Sequence, residues 1–268
     1  EARIEDEVMT SKEAMTRLAA ISLLFATACA HDRAFNRGQV GAMKNASPAI
    51  SPWTGPVADP VDSASDDAPV VALVDRVHGM VVQVFAARSA EKINTASGVL
   101  AGGGLVLTDM RALLFEGPAG NMQVATEIAV LTTKGAFPAR IVDSALDAGV
   151  VVLELPEVAR ELESPQLAEG SGDVGDQLLA VHASKQGPAL VFEVIGFSVE
   201  RTGNPLQLRA APALPISFAG APVFDAAGAL AGLLVGPTGQ DIIFVPPARL
   251  LQILTRVQSP AVQVDDHI

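Results

Sequence analysis

The chain has one cysteine, no tyrosine and no run of basic residues. A single cysteine, Cys29, excludes an intrachain disulfide and a zinc–thiolate cluster. The four histidines, His31, His78, His182 and His267, are scattered without metal-ligand spacing, so neither a metal site nor a cofactor is expected. Lys and Arg number 18 against 30 Asp and Glu, a net charge of -12. That balance argues against nucleic acid as a partner, because phosphate contacts need clustered cations. Aromatics make up 4% of the residues and charged residues 18%. With 49% apolar residues in 268, there is enough material for a core built from Val, Leu, Ile and Ala, in one or two domains.

Residues 15–29 read MTRLAAISLLFATAC. Lys12 and Arg17 precede an apolar stretch, 18–28, that is shorter than the roughly 20 residues needed to cross a bilayer. A charged start, a short apolar run and small residues at its end read as a secretory signal peptide over 1–29. Cys29 directly follows ATA, as in the lipobox of bacterial lipoproteins, although Ala26 stands where Leu is commonest. The alternative is an ordinary signal peptide with an unmodified cysteine near its end. The lipoprotein reading is preferred because Cys29 is the only cysteine and sits at the boundary. It implies lipidation at Cys29, a membrane anchor, and export to the bacterial envelope facing the periplasm. The first residue is Glu1, so Met9 and Met15 are the candidate starts. Residues 30–68, rich in Pro, Ser, Ala and Asp and carrying Trp53, read as a flexible tether.

From Val70 short β-branched runs recur between Gly, Pro, Asn and Asp: MVVQVFAA (80–87), GLVLT (104–108), VATEIAVLT (124–132), GVVVLEL (149–155), DQLLAVHA (176–183) and ALAGLLVG (229–236) among them. Such spacing predicts an all-β sandwich or barrel. One segment differs. PPARLLQILTRV (246–257) opens on proline and puts Leu250, Leu251, Leu254 and Val257 at helical spacing, which predicts a short C-terminal helix. The stretch 156–175 is a candidate boundary between two β-subdomains.

Five segments then fall in a suggestive order. ASGVLAGGGLVLTDMRALL (96–114) resembles S-G-x-x-x-x-x-G-x-x-L-T-x-x-H-V-V. FPARIVDSALDAGVVVLEL (137–155) resembles F-x-A-x-x-x-x-x-D-x-x-x-D-L-A-V-L. GDVGDQLLAVHAS (172–184) resembles V-G-D-x-V-x-A-I-G-x-P, SFAGAPVFDAAGALAGLLVG (217–236) resembles G-N-S-G-G-P followed by strand, turn and strand, and IIFVPPARLLQIL resembles F-A-I-P with its closing helix. Together, over about residues 70–257, they resemble the trypsin-like serine proteases, in the Deg/HtrA branch. The resemblance implies two antiparallel six-stranded β-barrels with a short C-terminal helix and a site in the cleft between them. The first barrel is expected over 69–160, the second with the helix over 161–258, and a tail over 259–268. The resemblance takes in no PDZ domain.

The same alignment removes the chemistry. The histidine position holds Arg111, the aspartate position Asp147, the serine position Ala219, and the turn that supplies oxyanion donors holds Ser217 and Phe218. A methyl group forms no acyl-enzyme, and a guanidinium is no general base. Ser217 replaces a glycine whose backbone freedom such a turn uses. The expected catalytic set is therefore degenerate, and two outcomes are open for Arg111 and Asp147: a half-buried ion pair filling the vacated site, or side chains that ignore each other. His78 and His182 read as ordinary strand residues. The expected function is a non-catalytic trypsin-fold scaffold binding a peptide or protein. The alternatives are an active hydrolase with relocated residues and a purely structural envelope protein.

Overall fold

The structure, a computed structural model, describes residues 68–258 apart from 118–119, 170–171, 187–188, 203–207, 212 and 239–240. The signal peptide, Cys29, the tether and the tail expected at 259–268 lie outside the described residues. Backbone contacts divide the chain into Glu1–Val71 and Ala72–Ile268. Of the first unit only 68–71, the opening turn of a helix, is described.

The first half of the second unit is built from β1 (Val81–Ser89), β2 (Lys92–Leu100), β3 (Leu105–Asp109), β4 (Leu114–Glu116), β5 (Met122–Val124), β6 (Glu127–Thr132), β7 (Gly135–Pro138), β8 (Arg140–Ala145) and β9 (Val150–Glu154). Seven of these form one antiparallel sheet, ordered β7-β6-β1-β2-β3-β9-β8, and β4 pairs with β5 alone. The two edges of the large sheet, β7 and β8, are consecutive in the chain and separated only by Ala139. They are halves of one bent strand. Gly135–Pro138 pairs with β6, and Arg140–Ala145 pairs with β9. Counted as one, the bent strand makes six around the sheet, and the backbone bridges the gap that hydrogen bonds leave. The bend falls at Pro138, which has no N–H to donate to a ladder.

The second half contains β10 (Gln177–Gln186), β11 (Ala189–Arg201), β12 (Leu208–Ala211), β13 (Pro222–Phe224), β14 (Leu230–Thr238) and β15 (Asp241–Val245). They close into a six-stranded barrel, β10-β11-β12-β15-β14-β13. The fold is thus the all-β pair of antiparallel barrels expected, with the first closed through its bent strand.

Burial explains the continuous apolar runs. Val82, Val84, Val106, Val151 and Leu153 fill the first sheet, and Phe197, Phe218, Leu234 and Phe244 fill the second barrel. A third cluster lies between them: Val81, Val99, Leu107, Val152, Val181, Leu233 and Leu250. Strands β1, β3 and β9 therefore bury both faces, so their sequences read as unbroken hydrophobic runs rather than alternating ones.

Two helices flank the strands. α1 (Ala68–Val77) was not expected, because PVVALVDRV is β-branched and strand-like by propensity. It is helical because Leu73 and Val77, one helical turn apart, both bury in the seam cluster, and packing outweighs propensity. α2 (Pro247–Gln258) is the expected C-terminal helix, with proline in its first turn. It buries Leu250, Ile253 and Leu254 and reaches across to the first sheet. There Arg249 bonds Asp147, while Arg256 Nε donates to Asp143 at 2.7 Å. These ion pairs are exposed and screened, so the apolar face does most of the holding. Leu250→Ala should lower unfolding free energy by about 2–5 kcal/mol, and Arg256→Ala by less than about 1 kcal/mol, both read from urea melts.

Candidate functional site

The positions that the motifs bring to the cleft lie in three turns. Arg111 is in a 3-10 turn, Met110–Leu113, that follows β3. Asp147 is in the β8–β9 turn, held by Ala148 N–H to Ala145 at 3.1 Å and Gly149 N–H to Leu146 at 3.3 Å. Ser217, Phe218 and Ala219 belong to a 3-10 turn, Ile216–Phe218, that leads into β13.

That last turn is tightly bonded within itself. Phe218 N–H donates to Pro215, Ala219 N–H to Ile216 and Ala221 N–H to Phe218, each at 3.0 Å. Gly220 N–H donates to Leu234 at 2.8 Å, tying the turn to β14. Gly220 has φ +81°, and a Cβ there would stand 2.2 Å from the Ser97 carbonyl oxygen and 2.9 Å from Thr108 Oγ1. Glycine is required twice over, by conformation and by space. Among the described residues no non-glycine has positive φ, so Ser217 sits in this turn without backbone strain. The consequence is chemical. The Ala219 N–H, which an oxyanion hole would aim outward, is spent on the Ile216 carbonyl.

Arg111 and Asp147 do not pair. Both are exposed, and the Asp147 carboxylate is taken by Arg249 of α2, which packs beside the β8–β9 turn. Arg111 lies instead over Gly236 of β14: a Cβ on Gly236 would meet Arg111 Cδ and Nη1 at 3.1 Å. Beneath it is Asp109, only 2% exposed, which the motif comparison overlooked. One Asp109 oxygen accepts from Arg111 N–H at 3.0 Å, the other from Gly236 N–H at 2.8 Å across the seam. Burial raises the Asp109 pKa above its ordinary range, against the pull of those two N–H groups and the Arg111 charge. The sign follows from the raised value: its favourable contribution to folding is complete below about pH 4 and is lost as pH rises through the folded pKa.

A second polar pair joins the sheets. Ser97 Oγ of β2 is 2.7 Å from His182 Nδ1 of β10, and Ala183 N–H donates to the same hydroxyl at 3.0 Å. Thr108 Oγ1 donates to the Ser97 carbonyl at 2.6 Å. The His182 ring lies 5.3 Å from the Phe218 ring, between centroids. Burial lowers the His182 pKa below its ordinary value. By sequence His182 reads as a plain strand residue. The available signal was that it falls on the glycine of the A-I-G-x-P segment, where an imidazole is conspicuous. Among the described residues no cluster of His, Cys, Asp or Glu is arranged for a metal.

Two β-barrels, a buried G-x-P turn where they meet and a C-terminal helix on the seam define the trypsin-like serine-protease fold. Among solved structures, the chain is similar to the protease Rv3671c of M. tuberculosis. Its active form gives a TM-score of 0.53 at 14% identity over 79% of this chain and 95% of that one. A serine-to-alanine variant of the same protease in an inactive form gives 0.52 at 16%, over 75% and 98%. The HtrA-type protease AlgW, as a serine-to-alanine variant with a tripeptide, gives 0.54 at 19%, over 70% and 62%. At these identities the likeness is one of fold. No protein-family model matches the chain, and no curated relative matches it.

Two substitutions test the seam. Gly220→Ala should destabilise by about 2–5 kcal/mol, through a strained backbone plus a clash with the Ser97 carbonyl. Asp109→Ala should cost about 2–4 kcal/mol by stranding two N–H groups, one of them buried. Denaturant unfolding reads both, and a neutral result for either would mean that the turn relaxes without loss.

Proposed function

We propose that this chain is a non-catalytic trypsin-fold protein whose cleft serves as a binding scaffold for a peptide or protein. The observation that carries the reading is the Ile216–Gly220 turn. Its nucleophile position is the methyl group of Ala219, and the N–H of that residue is bonded inward to Ile216. The base position holds Arg111, and a guanidinium is no general base. The rim of the turn is open and apolar: Ile216 is 64% exposed beside the exposed Ser217. Export and anchoring through Cys29 belong to the same proposal and rest on residues 12–29 alone.

One observation favours the hydrolase alternative, the 2.7 Å contact of Ser97 with His182. It supports a relocated dyad poorly. Ser97 is 0% exposed, so no substrate carbonyl reaches its oxygen, and the hydroxyl already accepts from Ala183.

A fluorophosphonate probe separates the two readings. No serine of the purified protein should be labelled, and labelling at Ser97 would overturn the non-catalytic reading. The combined variant Arg111→His, Ser217→Gly, Ala219→Ser is expected to gain slow labelling at residue 219, because the glycine allows the turn to free its N–H groups. For binding, a peptide selected from a displayed library should lose affinity when Ile216 becomes Asp, and an unchanged affinity would remove the cleft from the proposal.

A further inference from the structure

The contact between Ser97 and His182 lies where the two sheets meet, and three features make it more than packing. The first is its bonding order. Ala183 N–H donates to Ser97 Oγ at 3.0 Å, which leaves the hydroxyl proton a choice between His182 Nδ1 at 2.7 Å and the Ala183 carbonyl at 3.4 Å. Assigning it to the shorter contact makes Nδ1 the acceptor and puts the neutral ring's proton on Nε2, the tautomer that the ring-nitrogen measurement below reads. The second is a partner in waiting. Gln83 of β1 is the register partner of Ser97, so the two side chains leave the sheet on the same face. Gln83 is 5% exposed, and its Oε1 is buried without a hydrogen-bond partner. The third is what the ring touches. Phe218, against which His182 packs, is the last residue of the turn before Ala219.

We propose that Ser97, His182 and Gln83 form a proton-sensitive clasp between the two sheets, whose release loosens the Ile216–Gly220 turn. With His182 neutral, Ser97 donates to Nδ1 and the ring is held against Phe218. When the ring takes a proton at Nδ1, that nitrogen becomes a donor. The Ser97 hydroxyl then turns away toward the unpartnered amide oxygen of Gln83. A cation is left half-buried beside Phe218, and the ring moves outward to be solvated, withdrawing support from the turn.

The surroundings give the cation one carboxylate on its own face, Glu193, which is exposed and screened by solvent. Elements packed against β10 carry Arg88 and Lys92 at the exposed tip of the β1–β2 hairpin, and no charge in the Ile216–Phe218 turn or β13. On β10 itself Lys185 lies three residues on and hence on the opposite face, while Glu193 is directly across on β11 and exposed. Asp109 follows Thr108 but turns its carboxylate to Gly236. Burial alone depresses the His182 pKa. Because the folded value is below the unfolded one near 6.5, the clasp is intact above about pH 6.5 and weakens as pH falls toward the folded value.

The test is amide hydrogen exchange of the peptide covering Ile216–Ala221, corrected for the intrinsic pH dependence, alongside NMR of the His182 ring nitrogens in the unmodified protein. Below pH 6.5 protection of these amides should fall, by up to about tenfold per pH unit for one proton taken up on opening. His182→Asn, whose Oδ1 stands on Cγ as Nδ1 does and so still accepts from Ser97 without titrating, should keep the same protection throughout. Equal pH profiles for the two proteins would overturn the proposal. So would ring-nitrogen shifts showing Nδ1 protonated at neutral pH, a readout that needs no variant.

Discussion

The two sheets meet where the Gly220 Cα rests almost on the Ser97 carbonyl, and most of the site's geometry depends on that approach. Any side chain there would push the turn off β2. With the glycine in place, Thr108 donates to the same carbonyl, Ser97 reaches His182, and Phe218 packs under the ring. Asp109 adds a second tie a short distance away, from the end of β3 to Gly236. Both ties use backbone groups of one half and side chains of the other. A displacement of one sheet against the other would therefore strand N–H groups that water does not reach, which is expensive.

The turn is anchored through Gly220 and its bond to Leu234, and the positions that the motifs align with a catalytic set hold Arg111, Asp147 and Ala219. The Ala219 N–H is bonded inward to Ile216, so the turn is closed on itself as well as anchored to β14. Arg111 lies over Gly236 of β14.

Much of this was legible in the chain. Strand positions, the closing helix and the order of the motifs follow from apolar runs punctuated by glycine and proline. Ala219, Ser217 and Gly220 are together in the turn where the motif puts them. Three things were not legible. α1 hides in a β-branched segment because tertiary burial of Leu73 and Val77 decides its conformation. Asp147 pairs with Arg249 rather than Arg111 because α2 returns to the first sheet, a contact between residues 102 positions apart. Asp109 and His182 look like ordinary residues in sequence, and only the seam brings Gly236 to one and Ser97 to the other.

The bent strand at Pro138 has a bearing on how the molecule comes apart. An open sheet can fray, since an edge strand peels without disturbing the far side. Here the two edges of the first sheet are one piece of backbone, paired to β6 on one side of Ala139 and to β9 on the other. Pulling either half loose drags the other, so loss of an edge is not a local event. The sheet behaves as a hoop that opens as a whole, and this makes its unfolding cooperative through covalent connection where hydrogen bonds alone would have left a weak seam.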